Sequence, residues 1–272
     1  MQISSRYGEY ALTGGFFWIC QVALVVVLGS ATHFATVVLK LGTEWIERIP
    51  PPAHGPLATA VGAFAIITVF VTGLVLDVIG SLLFLVEPPI LRWYLARHET
   101  WVAAFCRRHA RFVGSDHSLL MQELPEIKSL LFLVCLPFAG LAWSLESAPV
   151  SLRRRIHAVT AAEQLATYLT SFAVARSATA ITPLADHIYL WRTARAVSVA
   201  LLVLYVEVPF VSAIRNVGVA HFFELLAGAI IALVIGSCLT GAAYSRLCAT
   251  LFGFTYLAFE SEQGDAAAAP TA

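Results

Sequence analysis

A set of apolar runs, each about as long as a lipid bilayer is thick, constrains this chain more than any other feature. Tyr10 to Leu39 contains no acidic or basic residue, and only Gln21 and His33 interrupt its apolarity. Leu57 to Val86 follows a proline-rich turn, IPPPAHGP, short enough to make the first two runs an antiparallel hairpin. Ser129 to Leu145 is shorter and holds Pro137, Ala196 to Ile214 contains Glu207 and Pro209, and Phe222 to Ala243 is rich in small residues. About 20 apolar residues cross a hydrocarbon core as a helix. Inside lipid only a helix or a closed barrel satisfies its own backbone. Runs of this length predict an all-α polytopic integral membrane helical bundle with four to six transmembrane helices.

Composition agrees. Only 12% of residues are charged, about half the share usual in a soluble domain. The charges balance at 17 basic and 17 acidic. The longest basic run is Arg153-Arg154-Arg155, which reads as a membrane-flanking anchor rather than a nucleic-acid patch. The expected partner is therefore the lipid bilayer, with a second copy or a membrane complex, and no nucleic acid. The five cysteines are widely spaced without a C-x-x-C, so neither a disulfide framework nor a zinc site is expected, and no cofactor. A cleaved signal peptide ending at Gly29-Ser30-Ala31 would need an unusually long apolar region, so the first run is read as a span.

The chain divides by polarity. Residues 1–89 read as a transmembrane hairpin and 90–195 as an arginine-rich, mostly cytoplasmic region around the short run at 129–145. Residues 196–260 read as a second hairpin followed by an aromatic segment along the interface, and 261–272 as a disordered tail. Both halves of the central region carry many arginines and want the cytoplasm. If 129–145 spans once, the two halves sit on opposite sides. An embedded central run gives four spans. A further span at Ala158 to Ile181 gives six, although Glu163, Gln164 and Arg176 are costly there. A third option is five spans, with one arginine-rich half outside. The preferred arrangement has four full spans in the plasma (inner) membrane with both termini cytoplasmic.

Within this frame, polar residues on apolar helices are the candidate site. Asp77 interrupts VTGLVLDVIGSLLFLVEPP, and Gly73, Gly80 and Ser81 share its helix face at i−4, i+3 and i+4. Small residues let another helix approach, and the carboxylate then faces that helix. Glu207 stands two residues before Pro209, which cannot donate to the Tyr205 carbonyl. His221 and Glu224 share a face at i, i+3. Gly228, Ala232, Gly236 and Thr240 form a small-xxx-small ladder suited to tight packing. Asp116-His117 and Asp186-His187 repeat a dipeptide, read foremost as helix-start aspartates. Around His98 and His109, Trp93, Trp101 and Phe105 run at helical spacing with Arg97, Arg108 and Arg111 interleaved, which matches either a membrane-surface helix or an ordinary packed one.

Three function classes follow. An accessory, structural or effector subunit packs through the small-residue faces. A small transporter or channel needs Asp77 and Glu207 to converge on a polar cavity. A membrane enzyme, the least favoured, needs the two Asp-His pairs to meet. Phosphate-loop, nucleophile-elbow and zinc-helix signatures are all missing from the sequence.

Overall fold

The computed structural model describes residues 2–29, 51–83, 87–109, 164–214 and 216–268. The described residues form helices and no strand: α1 (Gln2–Gly29), α2 (Pro51–Leu83), α3 (Glu87–Arg97), α4 (Glu99–Arg108), α5 (164–176), α6 (Ile181–Ile214) and α7 (Val219–Ala268). Among them, Ala58–Ser81, Ala178–Ala213 and Val219–Gln263 are long and apolar enough to cross a membrane. The run at Ser129–Leu145, Asp116, His117 and the Arg153–Arg155 triplet lie outside the described residues.

Several boundaries differ from those expected of the sequence. α2 begins at Pro51, inside the stretch expected to be a turn. Pro51 and Pro52 are tolerated in the first helical turn, where their missing N–H would have no helical partner anyway, whereas Pro56 lies inside the helix. α6 starts at Ile181, fifteen residues before the apolar run, and continues through Pro209 to Ile214. Of the stretch 158–181 that the six-span option uses, 158–163 lie outside the described residues, and the backbone is extended at Ser177 (φ −141°, ψ 108°), which ends α5. α7 is one helix of 50 residues, about 75 Å long. It runs to Ala268, so 261–268 are helical rather than a disordered tail. Alanine is the strongest helix former, and Glu262 is held by packing as described below.

The chain forms two compact units, residues 1–80 with 192–236, and 81–191 with 237–272. In the first unit α1 and α2 meet backbone to backbone. A Cβ on Gly14 would fall on the Val69 carbonyl, and one on Gly73 would fall on the Tyr10 carbonyl. Around this crossing the Tyr10 and Phe70 rings meet edge to face at 5.5 Å, and Trp18 Nε1 donates to Thr72 Oγ1 at 3.2 Å. The apolar core joins Leu24 of α1, Leu201, Tyr205 and Val208 of α6, and Leu226, Ala229 and Leu233 of α7. A Schellman motif makes the tight α6–α7 connection. Val217 N–H donates to Ser212 O at 3.1 Å and Asn216 N–H to Ala213 O at 3.4 Å, with Asn216 at φ 50°. Asparagine is one of the few side chains that tolerates that left-handed backbone.

The second unit is held by aromatic packing. Leu95, Val102 and Phe105 of α3 and α4, Leu165 and Leu169 of α5, and Leu251, Phe252 and Phe259 of α7 form its core. The aromatic stretch of α7 expected at the interface is therefore buried protein core in its Tyr244, Leu247, Phe252 and Phe259 positions. In α4, Phe105 is fully buried and Trp101 packs on Phe252 at 5.8 Å. Of the aromatics Trp93, Trp101 and Phe105, only Trp93 is exposed, at 52%. Period 3.6 places 101 and 105 on one stripe, and 93 falls off it as the helix breaks at His98. A cavity of about 50 Å³ lies between Leu91, Leu169, Trp191, Tyr244, Cys248 and Phe252. Its lining is almost wholly apolar.

Candidate functional site

The polar centre of the first unit is an ion-pair cluster around Asp77. Arg192 Nη2 donates to Asp77 Oδ2 at 2.8 Å, and Arg195 Nη2 donates to Oδ1 at 2.7 Å. Asp77 is 7% exposed and Arg195 4%. Glu9, itself buried, and Tyr10 lie close enough to Arg192 to act on its charge. Two acids and two bases thus compensate one another, the arrangement a low-dielectric interior demands.

Local sequence explains the assembly. Arg192 and Arg195 stand at i, i+3 on α6, so both guanidinium groups reach one side of the helix. Gly80, one turn beyond Asp77, leaves room for the arginine stem: a Cβ there would lie 3.1 Å from Arg195 Cγ. From sequence both arginines count only as cytoplasmic charge. Their signal is two arginines at helical spacing directly before an apolar run, with a lone acid in another apolar helix.

The second polar contact joins α1 to α6. Gln21 Nε2 donates to Glu207 Oε2 at 2.6 Å. Glu207 and Arg195 are twelve residues apart on one helix, about 18 Å along its axis. Asp77 and Glu207 therefore occupy separate layers. His221 Nδ1 lies 3.3 Å from Glu224 Oε2, with side chains 78% and 73% exposed, so this pair is a surface contact. Among the described residues no cluster of three metal-ligating side chains occurs.

The small-residue positions separate by environment. Gly73 and Gly236 are buried, and a Cβ on Gly236 would sit 2.8 Å from Leu201 Cδ1. Ala232 packs at the edge of the first unit's core, Thr240 is buried, and Ser81 is half-buried. Gly228 is exposed, and a Cβ there would meet nothing within 4 Å. Each four-residue step turns a helix by about 40° beyond a full circle. Over two steps the ladder rotates Gly228 away from the face Gly236 presents. Asp186 is exposed and lies inside α6 rather than at its start.

A further cluster in the second unit centres on Glu262, which the sequence does not single out, and gathers Arg108 and His109 of the aromatic stretch with Arg176. Arg108 Nε lies 3.4 Å from Glu262 Oε1, and Arg176 Nη2 4.0 Å from Oε2. His109 Nδ1 shares a hydrogen bond with the Tyr168 hydroxyl at 3.1 Å, and its Nε2 faces Glu262 Oε2 at 3.6 Å. Phe105, Phe172 and Phe259 enclose the imidazole. Burial lowers the His109 pKa below its ordinary 6.5, outweighing the opposing pull of Glu262, and Arg108 and Arg176 lower it further.

The unfolded chain consequently takes up a proton near pH 6.5 that the folded chain still refuses. Between the unfolded and folded pKa values the unfolded state holds more protons, so stability falls as pH drops below about 6.5. Thermal unfolding of the purified chain is expected to show a lower midpoint at pH 5 than at pH 7.5. His109→Gln is expected to flatten that part of the slope, and an unchanged slope would remove His109 from the account.

Neither family models, curated proteins nor solved structures match the chain.

Proposed function

We propose that the chain is a four-span protein of the plasma (inner) membrane with both termini cytoplasmic. In this reading it is an accessory or structural subunit that packs against a second copy or a membrane complex through small-residue helix faces. The observation that carries the reading is the double arginine pairing of Asp77. Both carboxylate oxygens are engaged, so this acid acts as an internal fastener. Glu207 is likewise engaged by Gln21 in a separate layer. Two separated and satisfied carboxylates argue against the transport reading, which asks them to converge.

The span count is supported by register. Tyr10–Gly29, Ala58–Asp77 and Arg195–Ile214 are each twenty residues, about 30 Å of helix, which matches a hydrocarbon core. The Asp77 cluster marks one end of this slab, putting the ion pairs at headgroup depth rather than mid-bilayer. Val61, Phe64, Ile67, Val71 and Val75 are exposed along α2 inside it, as lipid contact requires. The α6–α7 turn supplies the opposite end. Chain leaving at residue 80 and returning at 192 then begins and ends on one side, which its arginines assign to the cytoplasm.

Of the glycines where an added Cβ would meet nothing within 4 Å, Gly62 and Gly228 lie inside the apolar runs 57–86 and 222–243. They are the faces left for a partner helix. On native electrophoresis after mild detergent extraction, the 29.4 kDa chain is expected to run as an oligomer or with a stoichiometric partner. Gly62→Leu and Gly228→Leu are expected to release a folded monomer. A wild-type chain that runs only as a monomer sinks this reading.

A further inference from the structure

We propose that Trp93 and Arg97 form a binding site for the phosphate of an anionic phospholipid, an inference that rests on the membrane reading above. α3 turns Leu91, Tyr94 and Leu95 into the core and leaves Trp93 and Arg97 outside. These two residues, one turn apart, stack on each other: the guanidinium carbon stands 5.1 Å from the indole ring centroid. No acidic partner pairs with Arg97 among the described residues. Its charge is felt nearby, where burial and then Arg97 lower the pKa of His98. An arginine lying on an indole is held in place while the N–H edges of its planar fork stay open. That fork fits a phosphate with two parallel hydrogen bonds.

Depth identifies the source of the phosphate. The Tyr94 hydroxyl donates to the Ser245 carbonyl of α7 at 3.0 Å. Ser245 follows directly on the apolar run 222–243 and Tyr244, and Arg246 beside it is exposed. That run is 22 residues, about 33 Å of helix and a bilayer's worth. Trp93, next to Tyr94, therefore stands where the span ends, the level at which tryptophan collects in membrane proteins. The occupant is a lipid headgroup in that leaflet, selected for negative charge by Arg97.

The test uses the full chain in nanodiscs that contain either dibrominated phosphatidylglycerol or dibrominated phosphatidylcholine at equal mole fraction. The Trp93 signal is the wild-type fluorescence minus that of Trp93→Phe, a conservative change at an exposed site. Brominated phosphatidylglycerol is expected to quench Trp93 as though enriched about five-fold, the scale of one basic residue at a charged membrane surface. Arg97→Gln should equalise the two lipids, and millimolar inorganic phosphate should leave the preference unchanged. Equal quenching in wild type overturns the site, as does relief by inorganic phosphate. Trp93 left unquenched while Trp18 in α1 is quenched defeats this site alone. If no tryptophan is quenched by either lipid, the membrane reading itself falls.

Discussion

Asp77→Leu is expected to destabilise the folded chain by about 3–5 kcal/mol, the usual cost of removing one partner from a buried ion pair. The loss arises because Arg195, 4% exposed, keeps its charge in the interior after its bonded carboxylate has gone. Asp77→Asn keeps an acceptor oxygen for one arginine and should cost less. Arg192→Leu should also cost less than Arg195→Leu, since the Arg192 side chain is 25% exposed and already shares its charge with solvent. Replacing Asp77, Arg192 and Arg195 together by leucine should recover most of the loss, as apolar substitution of whole buried ion pairs often does. Thermal unfolding of the detergent-solubilised chain, arranged as a double-mutant cycle over Asp77 and Arg195, measures the coupling directly. Strictly additive single effects would mean that the pair contributes no mutual energy, and the fastener role would fall with it.

Asp77 also shows how far sequence reasoning reaches. Period 3.6 puts Gly73, Asp77 and Gly80 on one stripe, and the structure places all three as buried. Their partner is only faintly legible, because Arg192 lies 115 residues away and its one local mark is its helical spacing from Arg195 just before an apolar run. Depth is ambiguous for a related reason. Leu57 to Val86 exceeds one span, so hydropathy alone allows several windows. The contact of Asp77 with the start of the α6 apolar run is what supports the register proposed above.

The apolar runs in α2, α6 and α7 are evident because lipid and protein core demand the same residues. That same equivalence hides the second unit. Its aromatic positions in α7 read as interfacial and those in α4 fit a membrane-surface or a packed helix alike, yet in the structure the two sets bury one another. The Glu262 cluster is invisible because a glutamate in a small-residue tail carries no periodic signal. Its partners, Arg108, His109 and Arg176, come from two distant helices.

Gly73→Ala is expected to cost about 3 kcal/mol, at the upper end for overpacking. Its methyl would fall on the Tyr10 carbonyl, which is backbone and cannot rotate away. Relief requires α1 and α2 to separate, which loosens the Tyr10–Phe70 contact and shifts Glu9 and Tyr10 relative to Arg192. Gly14→Ala meets Val69 in the same way and should cost a similar amount. The double variant should cost well under the sum, because helices parted by one methyl accommodate the second. Gly228→Ala provides the contrast: the position is open, and exchanging glycine for alanine in a helix is worth up to about 1 kcal/mol in favour of alanine. Unfolding midpoints of the four variants separate the two physical effects. Helix propensity alone raises stability at every site, whereas backbone contact lowers it at 14 and 73 only. A Gly73→Ala chain more stable than wild type would show that α1 and α2 do not cross there, and the register tying Tyr10 to the level of Asp77 would have to be abandoned.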